Sequence, residues 1–128
     1  MRLEAIRINL SDIEGVGIQY MTHIQNIGWE ATWKNNNELS GTQGQSLRLE
    51  AIRIQLTGPN ASNYDVYYRT HVQNIGWTDW AYNGNPCGSA GYSYRLEAIQ
   101  IQILPAGSAA PGSTVTHFHQ EPGQTQPS

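Results

Sequence analysis

The sequence contains little of what several classes of protein require. Its single cysteine, Cys87, allows no intrachain disulfide, and charged residues make up only 13% of the 128 residues. With a formal net charge of −3, the chain lacks the clustered Lys and Arg of a nucleic-acid-binding surface. No apolar run approaches the roughly 20 residues of a membrane span. We therefore expect no nucleic-acid partner and no insertion into a membrane.

The chain also shows no signal peptide, because Met1 leads directly into a strand-like stretch. We therefore expect an excised domain, a fragment, or a product that leaves the cell by another route. The length suffices for one domain with its own core. The abundant residues are Asn, Gln, Gly, Thr, Tyr and Trp, which suit a sheet protein with a polar, uncharged surface.

A five-residue stretch, Arg-Leu-Glu-Ala-Ile, occurs three times and begins at Arg2, Arg48 and Arg95, at intervals of 46 and 47 residues. A fixed period of this size indicates a repeat architecture. Each copy continues into an apolar tail, which predicts strands at 2–10, 48–56 and 95–103. The apolar phase slips after the alanine of every copy. A β-bulge at this point is favoured, and a strand covered on both faces is the alternative.

A second unit occurs twice between these strands. Residues 18–25 alternate between apolar and polar side chains, which predicts a half-buried strand. Residues 70–77 differ from residues 22–29 at one of eight positions, and each stretch ends in Gly-Trp. Seven strands are predicted in all, and they begin near Arg2, Ile18, Trp29, Leu47, Val66, Trp77 and Tyr94.

The spacing predicts an all-β domain of antiparallel strands over residues 1–104. Three copies of this length favour a closed, pseudo-threefold form such as a β-prism or a trefoil-like barrel, and a β-sandwich is the alternative. From Pro105 to Ser128 the chain is rich in Pro, Gly, Ser and Gln, with almost nothing to bury. Residues 105–128 are therefore predicted to be a disordered linker or tail.

The order Thr-His-Val-Gln-Asn-Ile-Gly-Trp at 70–77, a second tryptophan, a Gly-containing loop and Arg-Leu-Glu-Ala-Ile resembles the ChW repeat family. The resemblance covers residues 15–56 and 65–103 in full and 2–10 in part. It implies extracellular or cell-surface proteins of Gram-positive bacteria and their phages, where such repeats sit in arrays and are thought to bind cell-wall polysaccharide. The copy at residues 15–56 departs from the pattern, because Asn37-Glu38 lacks the glycine that the copy at residues 65–103 keeps at Gly84.

The tryptophans suggest two roles. Trp29 and Trp77 directly follow a glycine, and we predict that they fill the core. Trp33 and Trp80 lie beside polar loops. A packing role is favoured for them, and an exposed indole that stacks on a sugar ring is the alternative. The remaining candidate ligand-binding residues are polar or aromatic side chains near these loops: Gln25, Gln73, Asn26, Asn74, His23, His71 and Tyr82.

Each of these candidates also has a structural interpretation. The amides of Gln25 and Gln73 could equally satisfy the backbone of a turn, and a histidine on a polar face is usually solvated or paired with a neighbour. The three Arg-x-Glu pairs predict an ion-pair ladder across the copies. His117 and His119 have a metal-like spacing, but two ligands are too few for a zinc site, so no metal and no cofactor is predicted.

These observations predict a non-catalytic module that binds bacterial cell-wall or surface polysaccharide in a secreted, surface or phage lysin protein. Every polar cluster occurs in duplicate or triplicate, whereas a catalytic centre is usually unique. The rival functions are a protein-binding adhesin module, a structural spacer and a small hydrolase. Because the copy that begins at Arg2 has no tryptophan unit before it, strand edges should be exposed. A homodimer that joins these edges is favoured, and internal closure between 2–10 and 94–103 is the alternative.

Overall fold

The structure is a computed structural model that describes residues 3–120, so Met1, Arg2 and residues 121–128 lie outside the description. The described chain folds into twelve strands and a short 3-10 turn at Ala61–Asn63. The strands are β1 (Ala5–Ile6), β2 (Gly17–Ile24), β3 (Gly28–Trp29), β4 (Lys34–Asn35), β5 (Ser40–Gly41), β6 (Leu49–Thr57), β7 (Tyr64–Val72), β8 (Gly76–Trp77), β9 (Ala81–Tyr82), β10 (Cys87–Ala90), β11 (Leu96–Pro105) and β12 (Phe118–Gln120).

The second and third Arg-Leu-Glu-Ala-Ile strands each pair with the alternating strand that precedes them in the chain. β2 and β6 are antiparallel from Gly17 opposite Thr57 to Ile24 opposite Leu49. β7 and β11 repeat this pairing from Tyr64 opposite Pro105 to Val72 opposite Leu96. We refer to residues 17–57 as the first repeat and residues 64–105 as the second repeat.

The predicted phase slip is confirmed as a register shift in both long strand pairs, β2 with β6 and β7 with β11. The shift lies between Leu49 and Ala51 in β6 and between Leu96 and Ala98 in β11, so the extra residue is the glutamate of each copy. A bulge of this kind returns the following apolar side chains to the core face. In β6 both faces of the segment are covered as well, because Ala51 and Ile52 are both fully buried.

Alternation in β2 also follows the prediction. Ile18, Tyr20, Thr22 and Ile24 are buried, whereas the residues between them are half-buried on the opposite face. Such alternation is typical of a strand that packs on a core by one face. The buried side chains of both repeats form one continuous cluster: Ile8, Ile18, Tyr20, Ile24, Leu49, Ile52, Ile54, Val66, Tyr68, Val72, Ala81, Cys87 and Leu96.

The strands form three sheets with mostly antiparallel pairing. β1 pairs with β5, β11-β7-β8 form the second-repeat sheet with β9 also on β7, and β12-β10-β6-β2-β3 form the largest sheet with β4 also on β2. The predicted all-β class is therefore confirmed. No closed barrel is found among residues 3–120, so the β-prism or trefoil-like closure is not confirmed. The described strands β1 and β11 lie in different sheets and do not pair with each other, unlike the predicted internal closure.

All seven predicted strands are present, but five short strands were not predicted. β4, β5, β9, β10 and β12 contain two to four residues each, too few for a periodicity to be recognised. β5 and β10 lie in the polar loops that follow Trp33 and Trp80. They matter most for the architecture, because each pairs with the strand that precedes its own repeat.

The segment after β11 differs from the predicted disordered tail over its described part. β12 adds to the largest sheet as a parallel neighbour of β10, with Phe118 opposite Gly88. Before it, the backbone NH groups of Asp79 and Trp80 donate to the carbonyl groups of Thr116 and Ser113, at 3.1 and 2.8 Å. These main-chain hydrogen bonds contribute to holding this polar segment against the repeats. Residues 121–128 of the predicted tail lie outside the described residues.

Candidate functional site

Each repeat carries a histidine, a tryptophan and an arginine in contact on one face. In the first repeat, His23 on β2 meets Trp29 on β3 edge to face, with 5.3 Å between ring centroids. The guanidinium carbon of Arg53 on β6 lies 4.6 Å from the centre of the Trp29 ring. This distance is within the range of a cation–π contact. The first repeat therefore has a compact aromatic and cationic cluster.

The second repeat has the equivalent cluster. His71 meets Trp77 with 5.3 Å between centroids and the rings nearly perpendicular. Arg69 lies over two indoles, 4.7 Å from the centre of Trp77 and 4.9 Å from that of Trp80. The arginine is thus in contact with two tryptophans in this repeat and with one in the other.

The arginines of the two clusters come from opposite strands of the hairpin. Met21 pairs with Arg53 across β2 and β6, whereas Arg69 pairs with Gln100 across β7 and β11. The arginine therefore lies on the second strand of one pair and on the first strand of the other. Arg69 Nε also donates to Gln100 Oε1 at 2.7 Å. The position of the charge beside the tryptophan is kept although the strand that supplies it changes.

Both histidines are held by the glutamate of the bulge. His23 Nδ1 lies 3.0 Å from Glu50 Oε1, and His71 Nδ1 lies 2.9 Å from Glu97 Oε1. Glu97 also approaches Arg95, with 3.6 Å between Nη2 and Oε2. Arg48 instead donates to the carbonyl of Ser93 at 2.7 Å. The predicted ion-pair ladder is therefore replaced by local pairs among the described residues, and the histidines are paired with neighbours.

A cleft of about 260 Å³ opens beside the first cluster. It is lined by Met21, Trp29, Glu30, Ala31, Trp33 and Arg53. Phe118 of β12 lies near Trp29, with 6.4 Å between ring centroids. Within residues 3–120 no aromatic ring or guanidinium stacks on Trp33, which is half-buried. Trp33 is therefore the indole of this cleft whose ring faces remain uncovered by such groups.

The structure contradicts the predicted core role of Trp77 but agrees with the packing role favoured for Trp80. Trp77 was expected in the core but is 40% exposed, because β8 places it on the outer face beside His71. Trp29 is half-buried in the equivalent position. Trp80 is only 6% exposed, so it has the favoured packing role rather than that of an exposed sugar platform. A Cβ added at Gly112 would lie 3.2 Å from the Trp80 indole, so the segment after β11 covers this ring.

The amides of Gln25 and Gln73 satisfy backbone groups. Gln25 Oε1 accepts from the backbone NH of Arg48 at 3.2 Å, and Gln73 Oε1 accepts from that of Arg95 at 3.4 Å. Asn26 and Asn74 adopt left-handed conformations with φ of 66° and 67°, which asparagine tolerates better than most residues. These four residues shape the turns, and both asparagines are exposed.

Tyr82 is exposed on β9 and contacts Tyr67 with 5.7 Å between ring centroids. A second hollow, of about 300 Å³, lies where the two repeats meet, and its lining includes Asn83 but not Tyr82. Gln55, Tyr64, Asp65 and Asn83 contribute its polar and aromatic lining. Asn83 Nδ2 donates to Asp65 Oδ1 at 3.0 Å. The sequence analysis did not predict this hollow, because its residues come from β6, β7 and the loop after β9.

Arg53 and Arg69 were also missed as site residues. A signal was present in the sequence, since Lys and Arg together number only seven and these two lie inside strand-like stretches. A long cationic side chain on a half-buried strand is expected to lie along an aromatic or apolar surface. Which tryptophan it would meet depends on the pairing of the strands.

A buried polar group supports the site in each repeat. In the first repeat the Glu30 carboxylate accepts from the backbone NH groups of Thr22 and Gly41, both at 3.1 Å, and from the Ser40 hydroxyl. In the second repeat Thr78 Oγ1 accepts from the backbone NH of Thr70 at 3.2 Å. Cys87 takes the place of Ser40, with its Sγ 3.2 Å from Thr78 Oγ1.

Burial raises the pKa of the Cys87 thiol above its ordinary value, so the thiol is protonated at neutral pH. Burial likewise raises the pKa of the Tyr68 phenol, whose hydroxyl donates to the carbonyl of Asn85. The pKa of Asp79 is lowered, first by the backbone NH of Thr116 and then by the Ser113 hydroxyl. None of these groups lines the cleft, so they contribute to structure.

No group of three or more His, Cys, Asp and Glu side chains that could hold a metal occurs within the described residues. His117 Nδ1 lies 2.6 Å from the carbonyl oxygen of Pro86 and so takes part in holding the segment after β11. Over the same part of the chain, no helix has the length and apolar character needed to cross a membrane.

The geometry defines a tandem β-repeat protein with one aromatic cluster in each repeat. The family described as clostridial hydrophobic W, or ChW, matches residues 23–58 and 71–105. The two matched segments cover more than half of the chain, which therefore belongs to the ChW family. Comparison with curated proteins gives no match, and comparison with solved structures gives none either.

Proposed function

We propose that this protein is a non-catalytic module that binds bacterial cell-wall or surface polysaccharide. The observation that supports the proposal is the cleft of the first repeat, where Trp33 and Trp29 lie beside Arg53. Sugar rings present apolar C–H faces that stack on aromatic rings, and their oxygens accept hydrogen bonds. A cleft that combines indoles with a guanidinium offers both kinds of contact.

Trp33 is the expected platform for the sugar ring. One face of Trp29 is covered by Arg53, and Phe118 lies nearby. The Glu30 carboxylate points inward to Thr22, Ser40 and Gly41, so it has little capacity for a ligand. The polar contacts would therefore come from Arg53, whose Nη1 has a long hydrogen bond of 3.4 Å to the carbonyl of Gly84.

A guanidinium donates hydrogen bonds and accepts none, so it selects oxygen acceptors and anionic groups. We therefore expect polysaccharides that carry phosphate or carboxylate groups to bind more tightly than neutral ones. The exposed Trp77 with Arg69 offers a second contact surface in the other repeat. Weak contacts in two repeats would reinforce each other on a polymer that presents many identical units.

The family supports a location outside the cell or at the cell surface, where such polymers occur. Three alternatives remain: a protein-binding adhesin module, a structural spacer in a surface array and a small hydrolase. Binding to purified walls separates the first two from the proposal, because a spacer binds neither walls nor proteins and an adhesin module binds walls stripped of polysaccharide as well as intact ones. A hydrolase would in addition release soluble wall fragments.

The test is a pull-down with purified Gram-positive walls, in which bound and free protein are measured for each variant. Trp33→Ala should reduce the bound fraction at least about tenfold, the loss expected for one stacking contact in a weak site. Arg53→Gln should weaken binding and reduce its dependence on salt, because an anionic contact is lost.

Val115→Ala is a suitable control, because Val115 is 86% exposed and lines neither the cleft nor the hollow at the repeat boundary. Trp77→Ala then tests the second cluster separately. Unchanged wall binding of both Trp33→Ala and Trp77→Ala would contradict the proposal, provided that both variants remain folded.

A further inference from the structure

The repeats are joined by a pairing that occurs twice in the chain. β5 of the first repeat pairs with β1, placing Gly41 opposite Ala5 and Ser40 opposite Ile6. β10 of the second repeat pairs with β6 in the same way, placing Gly88 opposite Ala51 and Cys87 opposite Ile52. In both cases the loop strand of one repeat covers the Arg-Leu-Glu-Ala-Ile strand before that repeat.

The two pairings also agree in detail. Gly41 and Gly88 have φ of 110° and 130°, and a Cβ on either would lie 2.4 or 2.5 Å from the carbonyl oxygen of the glutamate opposite. Only glycine fits so close to the neighbouring backbone.

A second contact follows further along the same edge. The backbone NH of Asn37 donates to the carbonyl of Ile8 at 2.8 Å, and that of Gly84 donates to the carbonyl of Ile54 at 2.7 Å. These positions are equivalent in the two pairings. The edge of each Arg-Leu-Glu-Ala-Ile strand is therefore a specific docking surface for the loop strand.

β11 begins with the same residues, Leu-Glu-Ala-Ile, as the covered strand β6, but no described strand covers it. Within residues 3–120 it pairs with β7 alone, so its other edge is open. Glu50 is 5% exposed and Ala51 and Ile52 are fully buried, whereas Glu97 is exposed and Ala98 and Ile99 are half-buried. β11 thus exposes the residues that are equivalent to those that β10 covers in β6.

We propose that the open edge of β11 receives the Ser40–Gly41 strand of a second copy of this protein, in place of that copy's own β1. β1 and β11 share the residues Leu-Glu-Ala-Ile, so Gly41 meets the same backbone and the same register in either case. The contact joins different surfaces on the two copies. Such a contact does not close on itself and produces head-to-tail chains.

β1 competes with this association in the isolated protein. It contributes only two paired residues, but it belongs to the same chain and so acts at an effective concentration on the order of millimolar. Loosening β1 should therefore promote association, and making the β11 edge unsuitable should prevent it. The proposal is independent of polysaccharide binding.

Sedimentation velocity of the full chain over a range of concentrations tests the proposal. Ile6→Asp places a charge in half-buried β1 and should lower the concentration at which the chain associates by at least about tenfold. Adding Glu97→Lys should return the protein to the monomer, because a lysine would be buried where Glu50 is buried in the covered copy. Glu97→Gln added instead is the matched control and should leave association intact.

A folded Ile6→Asp variant that stays monomeric at every concentration would overturn the proposal, and so would a double variant with Glu97→Lys that associates like the single one. If Ile6→Asp does not fold, disulfide trapping decides. The backbone NH of Thr42 donates to the carbonyl of Glu4 at 3.0 Å, so Thr42 should lie opposite Glu97 in the assembly.

The chain with both Thr42→Cys and Glu97→Cys should give a ladder of covalent oligomers on oxidation, whereas each single variant can give nothing larger than a dimer. Absence of species beyond the dimer in the double variant would also overturn the proposal. Cys87 does not interfere, because it is fully buried.

Discussion

The first and second repeats have the same strands in the same register but differ at their centres. In the first repeat, Thr22 and Ser40 donate hydrogen bonds to the Glu30 carboxylate. In the second repeat, the equivalent group of Thr70, Thr78 and Cys87 is neutral. In both, the side chain after the Gly-Trp unit accepts the backbone NH of the threonine on the preceding strand. The backbone therefore requires an acceptor at this point, and either a carboxylate or a hydroxyl supplies it.

The repeats also differ in what covers their outer faces. Trp29 lies near Phe118, and β10 pairs with β6, the strand whose Arg53 lies over Trp29. The equivalent Trp77 is 40% exposed, and β11 has an open edge. Equivalent residues thus have different surroundings because the first repeat is followed by another repeat within residues 3–120, whereas the second is followed there only by the segment that carries β12. Burial in a repeat protein depends on position in the array as well as on sequence.

The largest expected effect separates the two tryptophans of the second repeat. Trp80→Ala should lower the free energy of unfolding by about 3–5 kcal/mol, because it empties a buried site between Arg69 and Gly112. Trp77→Ala should cost less than about 1 kcal/mol, the scale of an exposed cation–π contact. Urea denaturation measures both, and a larger loss for Trp77→Ala would show that the exposures are reversed.

The second effect compares the two polar centres. Glu30→Ala should cost about 3 kcal/mol, because it leaves the backbone NH groups of Thr22 and Gly41 without their acceptor. Thr78→Ala removes the acceptor of one such group, that of Thr70, and should cost about 1–2 kcal/mol. Equal losses in urea denaturation would mean that the carboxylate contributes no more than a hydroxyl.

The third effect concerns the segment after β11, which contacts the loop after β8 through Asp79. The folded pKa of Asp79 lies below its unfolded value, so its contribution to docking is present above the unfolded pKa and is lost as the pH falls through the folded pKa. Asp79→Ala should release the segment at neutral pH as well.

Hydrogen exchange measures this release at the backbone NH of Gly88, which donates to the carbonyl of His117 at 3.0 Å and loses this acceptor only if the segment leaves. The backbone NH of Asn83, which donates to the carbonyl of Val66, is the internal control and should keep its protection. Protection of the Gly88 NH that is unchanged in Asp79→Ala would show that the remaining hydrogen bonds hold the segment without the carboxylate.

The smallest effect is expected for Cys87→Ser, which gives the second repeat the residue that the first has at Ser40. The change in the free energy of unfolding should be below about 1 kcal/mol, since Thr70 and Thr78 can hydrogen-bond a hydroxyl as well as a thiol. In the unchanged protein Cys87 should react with alkylating reagents only on unfolding, because it is buried and its pKa is raised. Rapid labelling of the folded chain would contradict the buried placement.

Periodicity predicted the long strands correctly because it reports which face of a strand is buried. The alternation at Ile18, Tyr20 and Ile24 and the phase slip at the repeated glutamate both appear in the structure as expected. The predicted core role of Trp77 was wrong, and periodicity does not distinguish Trp77 from Trp80. Both follow a buried strand closely in the sequence, and only the short pairings of β8 and β9 decide which of them faces outward.

The sequence by itself determined the all-β class, the repeat, the bulge and the family, because each depends on a local pattern or on residues that recur at a fixed interval. Tertiary structure decided which arginine lies over which tryptophan, where the segment after β11 docks, and which copy of the repeated strand has an open edge. These features depend on contacts between residues that are distant in the chain, and no local pattern encodes such contacts. Glu50 and Glu97 show the difference, since they stand in identical five-residue stretches and one is buried while the other is exposed.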